Sequence, residues 1–92
     1  MFMNLTDKEF IEKSKKAIVD YFNSELNSCD SEKTISEDDV YVVWLVKVLQ
    51  NNKGLFSTHV PDGMYYEVTY NGDTNQIYLD AYKRWKNIVI NL

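Results

Sequence analysis

The chain has 92 residues, 45% of them hydrophobic, and a formal net charge of −4 at pH 7. A chain of this length forms one domain and buries roughly 60–65% of the surface that it exposes when unfolded, so we expect a single domain over residues 1–92. The acidic balance argues against sequence-independent phosphate binding, which needs a basic surface.

Targeting and metal signals are also weak. The longest apolar run, residues 40–46, is far shorter than the roughly 20 residues of a membrane-spanning helix. The start, "MFMNLTDKEF", lacks the basic and apolar regions of a secretory signal. The single cysteine, Cys29, excludes an internal disulfide, and with one histidine it cannot form a zinc site of ordinary ligand number. We expect a cytoplasmic protein with no cofactor, no metal and no membrane association.

The first predicted element is an amphipathic helix over about residues 7–27. Thr6 with Glu9 forms a capping-box signal, and Leu5 with Phe10 a hydrophobic staple. Apolar residues then recur at helical spacing on one side, which predicts that this face lies on an apolar surface. The stretch "NSCDSEKTIS" favours a loop. It belongs to an acidic segment over about residues 28–39, which we interpret as a solvated loop or, alternatively, as a patch for a basic partner.

The stretch "VYVVWLVKVLQ" predicts a long first strand from Val40, because β-branched and aromatic residues dominate it. A second helix is the alternative, since Ser36 with Asp39 resembles another capping box. In the strand, two sets of residues alternate, and both are largely apolar. The first set is Val42, Trp44, Val46 and Val48, and the second is Tyr41, Val43, Leu45, Lys47 and Leu49. We therefore expect this strand to be buried on much of both faces.

Three further strands are predicted, separated by the turns "QNNKG", "PDG" and "NGDTN". All three glycines fall in these turns, where a positive φ is allowed. The sheet is expected over about residues 40–86, followed by a tail over 87–92 that either extends the last strand or forms a short helix. Short loops between consecutive strands predict an antiparallel meander. The expected fold is α+β, an N-terminal amphipathic helix packed on a four-stranded antiparallel meander in the order α-β-β-β-β.

Five of the seven tyrosines lie between Val60 and Tyr82. Ordinary aromatic cross-strand pairing in a sheet explains them most simply, but tyrosine is also enriched at protein interfaces. The main functional hypothesis is a partner-binding face, opposite the helix, whose predicted residues are Tyr65, Glu67, Tyr78, Asp80, Tyr82 and Arg84. The alternative is single-stranded nucleic acid stacking on these rings, helped by Lys47, Lys83, Arg84 and Lys86 but opposed by the acids and the net charge.

The sequence shows no catalytic constellation. His59 is the only histidine, and Ser57 shares its strand face without a third orienting group. The glycines form no phosphate-binding loop. We therefore expect a protein that is not an enzyme.

Four stretches carry a resemblance to a known family: "VYVVW", residues 47–53, "PDGMYYEVTYNG" and "YLDAYK". They resemble a family of small proteins of unknown function encoded by phages and prophages of low-GC Gram-positive bacteria. The resemblance implies expression in a bacterial host cell and action on a host or phage protein, and it supplies no catalytic or ligand-binding residue.

The edges of the predicted meander bear on assembly. The first strand carries a single charge, Lys47, which is poor protection for an edge. We expect its edge to be covered by the tail, by the N-terminal segment or by a second copy of the chain in a symmetric homodimer.

Overall fold

A computed structural model describes residues 4–26 and 34–92 of the chain. The described residues form one helix followed by a four-stranded sheet, which confirms the predicted α+β fold. The elements are helix α1 (Asp7–Tyr21), a π-helical turn (Phe22–Leu26), a 3-10 turn (Glu37–Asp39) and strands β1 (Val40–Val48), β2 (Asn51–Thr58), β3 (Met64–Asn71) and β4 (Gln76–Lys83).

Helix α1 begins where the sequence predicts. The Glu9 N–H donates to Thr6 Oγ1 at 3.1 Å, and the Thr6 N–H donates to Glu9 Oε1 at 3.0 Å, so the capping box is complete. Leu5 and Phe10, the predicted staple pair, are both buried. Helical structure continues to Leu26, and residue 27, the predicted end, lies outside the described residues.

The sheet is an antiparallel meander in the order β1-β2-β3-β4, which leaves β1 and β4 at its edges. Residues 40–48 are therefore a strand and not the alternative helix. The capping box predicted at Ser36 and Asp39 begins only a 3-10 turn. In it the Ser36 N–H donates to Asp39 Oδ2 at 2.9 Å.

Two of the predicted turns are confirmed, and the third is shorter than predicted. Gly63 adopts a φ of 73°, and the turn over residues 72–75 closes the β3–β4 hairpin. The β1–β2 turn, however, consists of residues 49 and 50 alone, with Leu49 at a φ of 55°. The prediction that Gly54 belongs to a turn is wrong, since it lies inside β2.

The hydrophobic core lies between α1 and one face of the sheet, which we call the inner face. Phe10 packs on Phe56 with ring centroids 6.2 Å apart, and Tyr21 meets Tyr66 edge-on at the same distance. Lys47, on the same face, donates from Nζ to the Leu5 carbonyl at 2.7 Å and so links β1 to the segment before the helix.

The Asn23 side chain joins the end of the helical region to the start of the sheet region. Its Nδ2 donates to the Ile35 carbonyl at 3.1 Å, and its Oδ1 accepts from the Ile35 N–H at 2.9 Å. The amide thereby satisfies both backbone groups of Ile35, as a neighbouring strand would. The first half of the predicted acidic loop, including Cys29, lies outside the described residues.

A β-bulge in β1 changes which residues share a face. The register with β2 shifts between Val42, which pairs with Phe56, and Trp44, which pairs with Leu55. Because one extra residue shifts the alternation of side chains by one position, Val42 lies on the inner face and Trp44 on the opposite one. The expectation that β1 is buried on much of both faces is wrong, since five of its nine residues are exposed large hydrophobics.

Strand β4 ends at Lys83, and residues 84–92 continue without regular secondary structure. We call residues 84–92 the tail. All nine of its residues are exposed. The tail therefore does not cover the β1 edge of its own chain, which was one of the expected arrangements.

Candidate functional site: the outer face of the sheet

The sheet surface opposite α1, which we call the outer face, is the candidate site. The strand register defines it, because residues paired directly across strands lie on the same face. Its central residues are Tyr41, Trp44, Val46, Val48, Lys53, Leu55, Ser57, Tyr65, Glu67, Thr69, Tyr78, Asp80 and Tyr82.

The register places five of the six predicted partner-binding residues together on this face. Tyr65 is directly opposite Tyr82, and Glu67 is directly opposite Asp80. Tyr78 lies opposite Thr69, two positions from Asp80 along β4. Tyr78 and Tyr82 are about half exposed, so their rings are accessible. Aromatic side chains with one apolar surface and one polar tip are well suited to contact a protein partner.

The charges at the centre of the outer face are not balanced by their direct neighbours. Two carboxylates in opposite positions of an antiparallel pair repel each other, and Glu67 and Asp80 have this arrangement. Lys53 on β2 partly compensates, since its Nζ lies 3.6 Å from Glu67 Oε1. Asp80, on the edge strand, is exposed.

The sixth predicted residue, Arg84, lies just beyond β4 at one end of the sheet. Its N–H donates to the Gly63 carbonyl at 2.8 Å, which holds this part of the chain against the β2–β3 connection. With Tyr41, His59 and Tyr65 it lines a shallow depression of about 320 Å³. The rings of Tyr41 and His59 are in contact there, with centroids 5.2 Å apart.

Sequence reasoning missed the contribution of β1 to the outer face. Trp44 and Val46 are 41% and 48% exposed, and Val48 follows on the same side. They extend the aromatic surface of β3 and β4 across the full width of the sheet. A strict alternation from Val42 would place them on the opposite face, and the sequence carries no glycine at the bulge to mark it.

Two lysines proposed to help nucleic acid binding lie elsewhere. Lys47 is in register with Asn52 on the inner face and donates to the Leu5 carbonyl. Lys83 is in register with Met64, also on the inner face. The outer face keeps Lys53, which is paired with Glu67, and Arg84 at its end. Its basic character is therefore small.

The other chemically active residues do not form a second site. Ser57 Oγ donates to the Met64 carbonyl at 2.9 Å, which occupies the hydroxyl in holding β2 to β3. Within residues 4–26 and 34–92, no group of three or more His, Cys, Asp or Glu side chains could hold a metal ion. In the same part of the chain, no helix has the length and apolar character needed to cross a membrane.

Comparison with known proteins gives a family but no characterised relative. No curated protein and no solved structure matches the sequence. The profile of a family of unknown function, DUF6275, matches residues 11–92, which include most of α1, the whole sheet and the tail. The chain therefore belongs to the DUF6275 family of proteins of unknown function.

Proposed function

We propose that the protein acts by binding another protein through the outer face of its sheet. The observation that carries the proposal is the group of tyrosines, Tyr65, Tyr78 and Tyr82, that the register brings together on this face, with Tyr78 and Tyr82 about half exposed. Exposed aromatic side chains grouped on one face of a small protein are characteristic of interaction sites. Tryptophan and tyrosine are also the residues that most often dominate binding energy at protein interfaces.

The partner in this proposal is a host or phage protein in a bacterial cytoplasm, and the protein is a small accessory factor, not an enzyme. The phage context comes from the resemblance of the sequence. The role of the face is supported by its mixed composition, in which exposed tyrosines surround Glu67 and Asp80. In such an arrangement the aromatic rings provide affinity, and the charged groups that they enclose provide selectivity for one partner.

The direct test is affinity capture from a lysate of the bacterium that carries the gene. Tyr78→Thr with Tyr82→Thr removes two exposed rings and replaces them with β-branched residues, which suit a strand. Leu49→Asn is the matched control, because it removes an exposed apolar side chain outside the outer face, and asparagine tolerates the positive φ found there. We expect the wild type and the control to capture the same protein and the double variant to lose it. Equal capture by all three would refute the proposed face.

Single-stranded nucleic acid is the competing ligand. The positions of Lys47 and Lys83 on the inner face weaken this alternative. A gel-shift series with single-stranded DNA and RNA at low salt distinguishes the two functions, because electrostatic binding is strongest there. We expect no shift. Binding that is lost in the Tyr78→Thr, Tyr82→Thr variant would assign the face to nucleic acid instead.

A further inference from the structure

The tail has the sequence pattern of a strand but is not part of the sheet. Its residues read "RWKNIVINL", in which Ile88, Ile90 and Leu92 alternate with Asn87, Val89 and Asn91. Such alternation is typical of a strand with one apolar side. Trp85 is 96% exposed and Val89 80% exposed. Apolar surface costs roughly 25 cal/mol per Å² when it is left in water, so the tail gains free energy from any apolar surface it can cover.

Strand β1 is an edge that can accept such a segment. Among the described residues it pairs with β2 alone, so the backbone groups on its other side are available to a further strand. Its only charged residue, Lys47, is engaged by the Leu5 carbonyl. The opposite edge, β4, carries Asp80 and Lys83, which are the kind of charges that discourage edge pairing.

The tail and β1 match each other in length and in pattern. Each has nine residues, which corresponds to about 30 Å of extended chain. With the tail parallel to β1, Ile88, Ile90 and Leu92 lie beside Trp44, Val46 and Val48. Arg84 and Lys86 then lie near the acidic residues 37–39 that precede β1. Both the apolar contacts and the charges are complementary in this orientation.

A second copy of the chain is the source of the tail that occupies β1. Within one copy, the tail leaves β4 at the opposite edge of the sheet, and its side chains are exposed rather than packed. In a symmetric pair of copies, each β1 edge can receive the tail of the other. The exposed side chains of Ile88, Ile90 and Leu92 on each tail and those of Trp44, Val46 and Val48 on each β1 then contribute to the roughly 800 Å² per partner of a stable interface.

We propose that the protein is a symmetric dimer in which the tail of each copy adds as a fifth strand, parallel to β1, to the sheet of the other copy. The exchange uses the β1 part of the outer face, where Trp44, Val46 and Val48 lie, and it leaves Tyr65, Tyr78 and Tyr82 free. It therefore does not depend on the function proposed for these three tyrosines.

The test uses two full-length variants with opposite charges. The tail variant carries Ile88→Glu and Ile90→Glu, and the β1 variant carries Val46→Lys and Val48→Lys. All four positions are exposed in a single copy, so each variant should keep the native circular dichroism spectrum. Masses are measured by light scattering for each protein alone and for the two variants mixed in equal amounts.

We expect the wild type to have twice the mass of one chain, 10.8 kDa, and each variant alone to have the mass of one chain. The mixture should return to the doubled mass, because the Glu-bearing tail of one variant meets the Lys-bearing β1 of the other. A wild type of 10.8 kDa at all concentrations, a tail variant that stays dimeric, or a mixture that stays monomeric would each overturn the proposal. None of these results affects the capture experiment with Tyr78→Thr and Tyr82→Thr.

Discussion

Leu45 of β1 lies so close to Gly54, its partner on β2, that a Cβ at position 54 would have to displace the Leu45 side chain. A Cβ at Gly54 would lie 3.2 Å from Cε2 of Phe10, 2.8 Å from Cδ2 of Leu45 and 2.9 Å from Cε1 of Phe56. Glycine is needed here for close approach and not for a turn, since no positive φ is involved. The helix is thereby fixed over the centre of the inner face.

Gly54→Ala should therefore destabilise the protein by about 1–3 kcal/mol, the usual cost of adding a methyl group to a packed core. Urea unfolding followed by circular dichroism measures the change in unfolding free energy. Leu45→Val removes the Cδ2 methyl group that the new Cβ would meet, so the cost of Gly54→Ala should be smaller in that background. An equal cost in both backgrounds would mean that Leu45 is not what limits the space.

Tyr66 should make stability depend on pH in the alkaline range. Its ring is fully buried, and burial, with a contribution from the nearby Asp62 charge, raises its pKa to about 12 from 10.0. Because the unfolded chain loses the phenol proton first, the contribution of neutral Tyr66 is fully present below pH 10 and is lost as the pH rises towards 12. Tyr66→Phe should abolish this component. Unfolding free energies of the two proteins should therefore diverge above pH 10, and parallel curves would contradict the prediction.

At neutral pH, Tyr66→Phe should cost little or even stabilise the protein. The buried Tyr66 hydroxyl has no hydrogen-bond partner among the described residues, and the same holds for Ser14 Oγ. An unpaired buried polar group costs roughly 1–3 kcal/mol. Ser14→Ala should consequently raise the unfolding free energy by about 1 kcal/mol, as measured by urea unfolding. Marked destabilisation by either change would indicate that the hydroxyl is hydrogen-bonded.

The β1 bulge can be tested through two neighbouring positions. Leu45 lies on the inner face, within reach of Gly54, whereas Val46 lies on the outer face. Leu45→Lys should cost about 2–5 kcal/mol of stability, because it removes core packing. Val46→Lys should cost clearly less than Leu45→Lys, because Val46 lies outside the core between α1 and the sheet. If Val46→Lys destabilises the protein more than Leu45→Lys in urea unfolding, the bulge is absent and the side chains of β1 alternate strictly from Val42.

Asp80→Lys should stabilise the isolated protein. The substitution replaces the repulsion between Glu67 and Asp80 by attraction, and opposite charges in directly paired strand positions contribute roughly 0.2–1 kcal/mol. Thermal unfolding at low and high salt measures the gain, which should shrink as salt screens the charges. Asp80→Asn, which removes the repulsion without adding attraction, should give a smaller gain. A loss of stability in both variants would show that Asp80 makes a favourable contact that outweighs the repulsion.

Thr6→Ala should weaken the start of α1 by about 1 kcal/mol, the usual contribution of a capping residue. The hydrogen bond from the Thr6 backbone N–H lowers the pKa of Glu9 below its ordinary value of 4.5. The contribution of this contact is therefore present above that value and is lost as the pH falls. Urea unfolding at pH 7 and at pH 3 should show a smaller effect of Glu9→Gln at pH 3. An effect of equal size at both pH values would mean that the Glu9 charge does not contribute.

Local signals made much of the fold predictable. The capping box at Thr6 acts within four residues, and Gly63 meets a local requirement for a positive φ, so both could be recognised without knowledge of the tertiary structure. The order and direction of the strands followed from the short turns. The grouping of Tyr65, Tyr78 and Tyr82 on one face followed from simple alternation in β3 and β4.

The features that could not be predicted depend on contacts between distant parts of the chain. The β1 bulge has no signature residue, and it reversed the predicted face of Trp44 relative to Val42. Gly54 resembles a turn residue in sequence, but its role is set by the side chains packed around it, which include Leu45 on the neighbouring strand and Phe10, 44 residues away, on the helix. Lys47 resembles a free surface charge, but the carbonyl of Leu5 accepts its hydrogen bond across 42 residues. Periodicity and turn composition contain no information on such distant partners.

The paired hydrogen bonds between Asn23 and Ile35 make the side-chain amide of Asn23 chemically irreplaceable. One bond needs a donor and the other an acceptor on the same side chain. Aspartate has acceptor oxygens alone when it is ionised, so it would keep the bond from the Ile35 N–H and lose the bond to the Ile35 carbonyl. Deamidation of Asn23 during storage would therefore place a negative charge against that carbonyl and loosen the connection between the helical region and the segment that leads into the sheet.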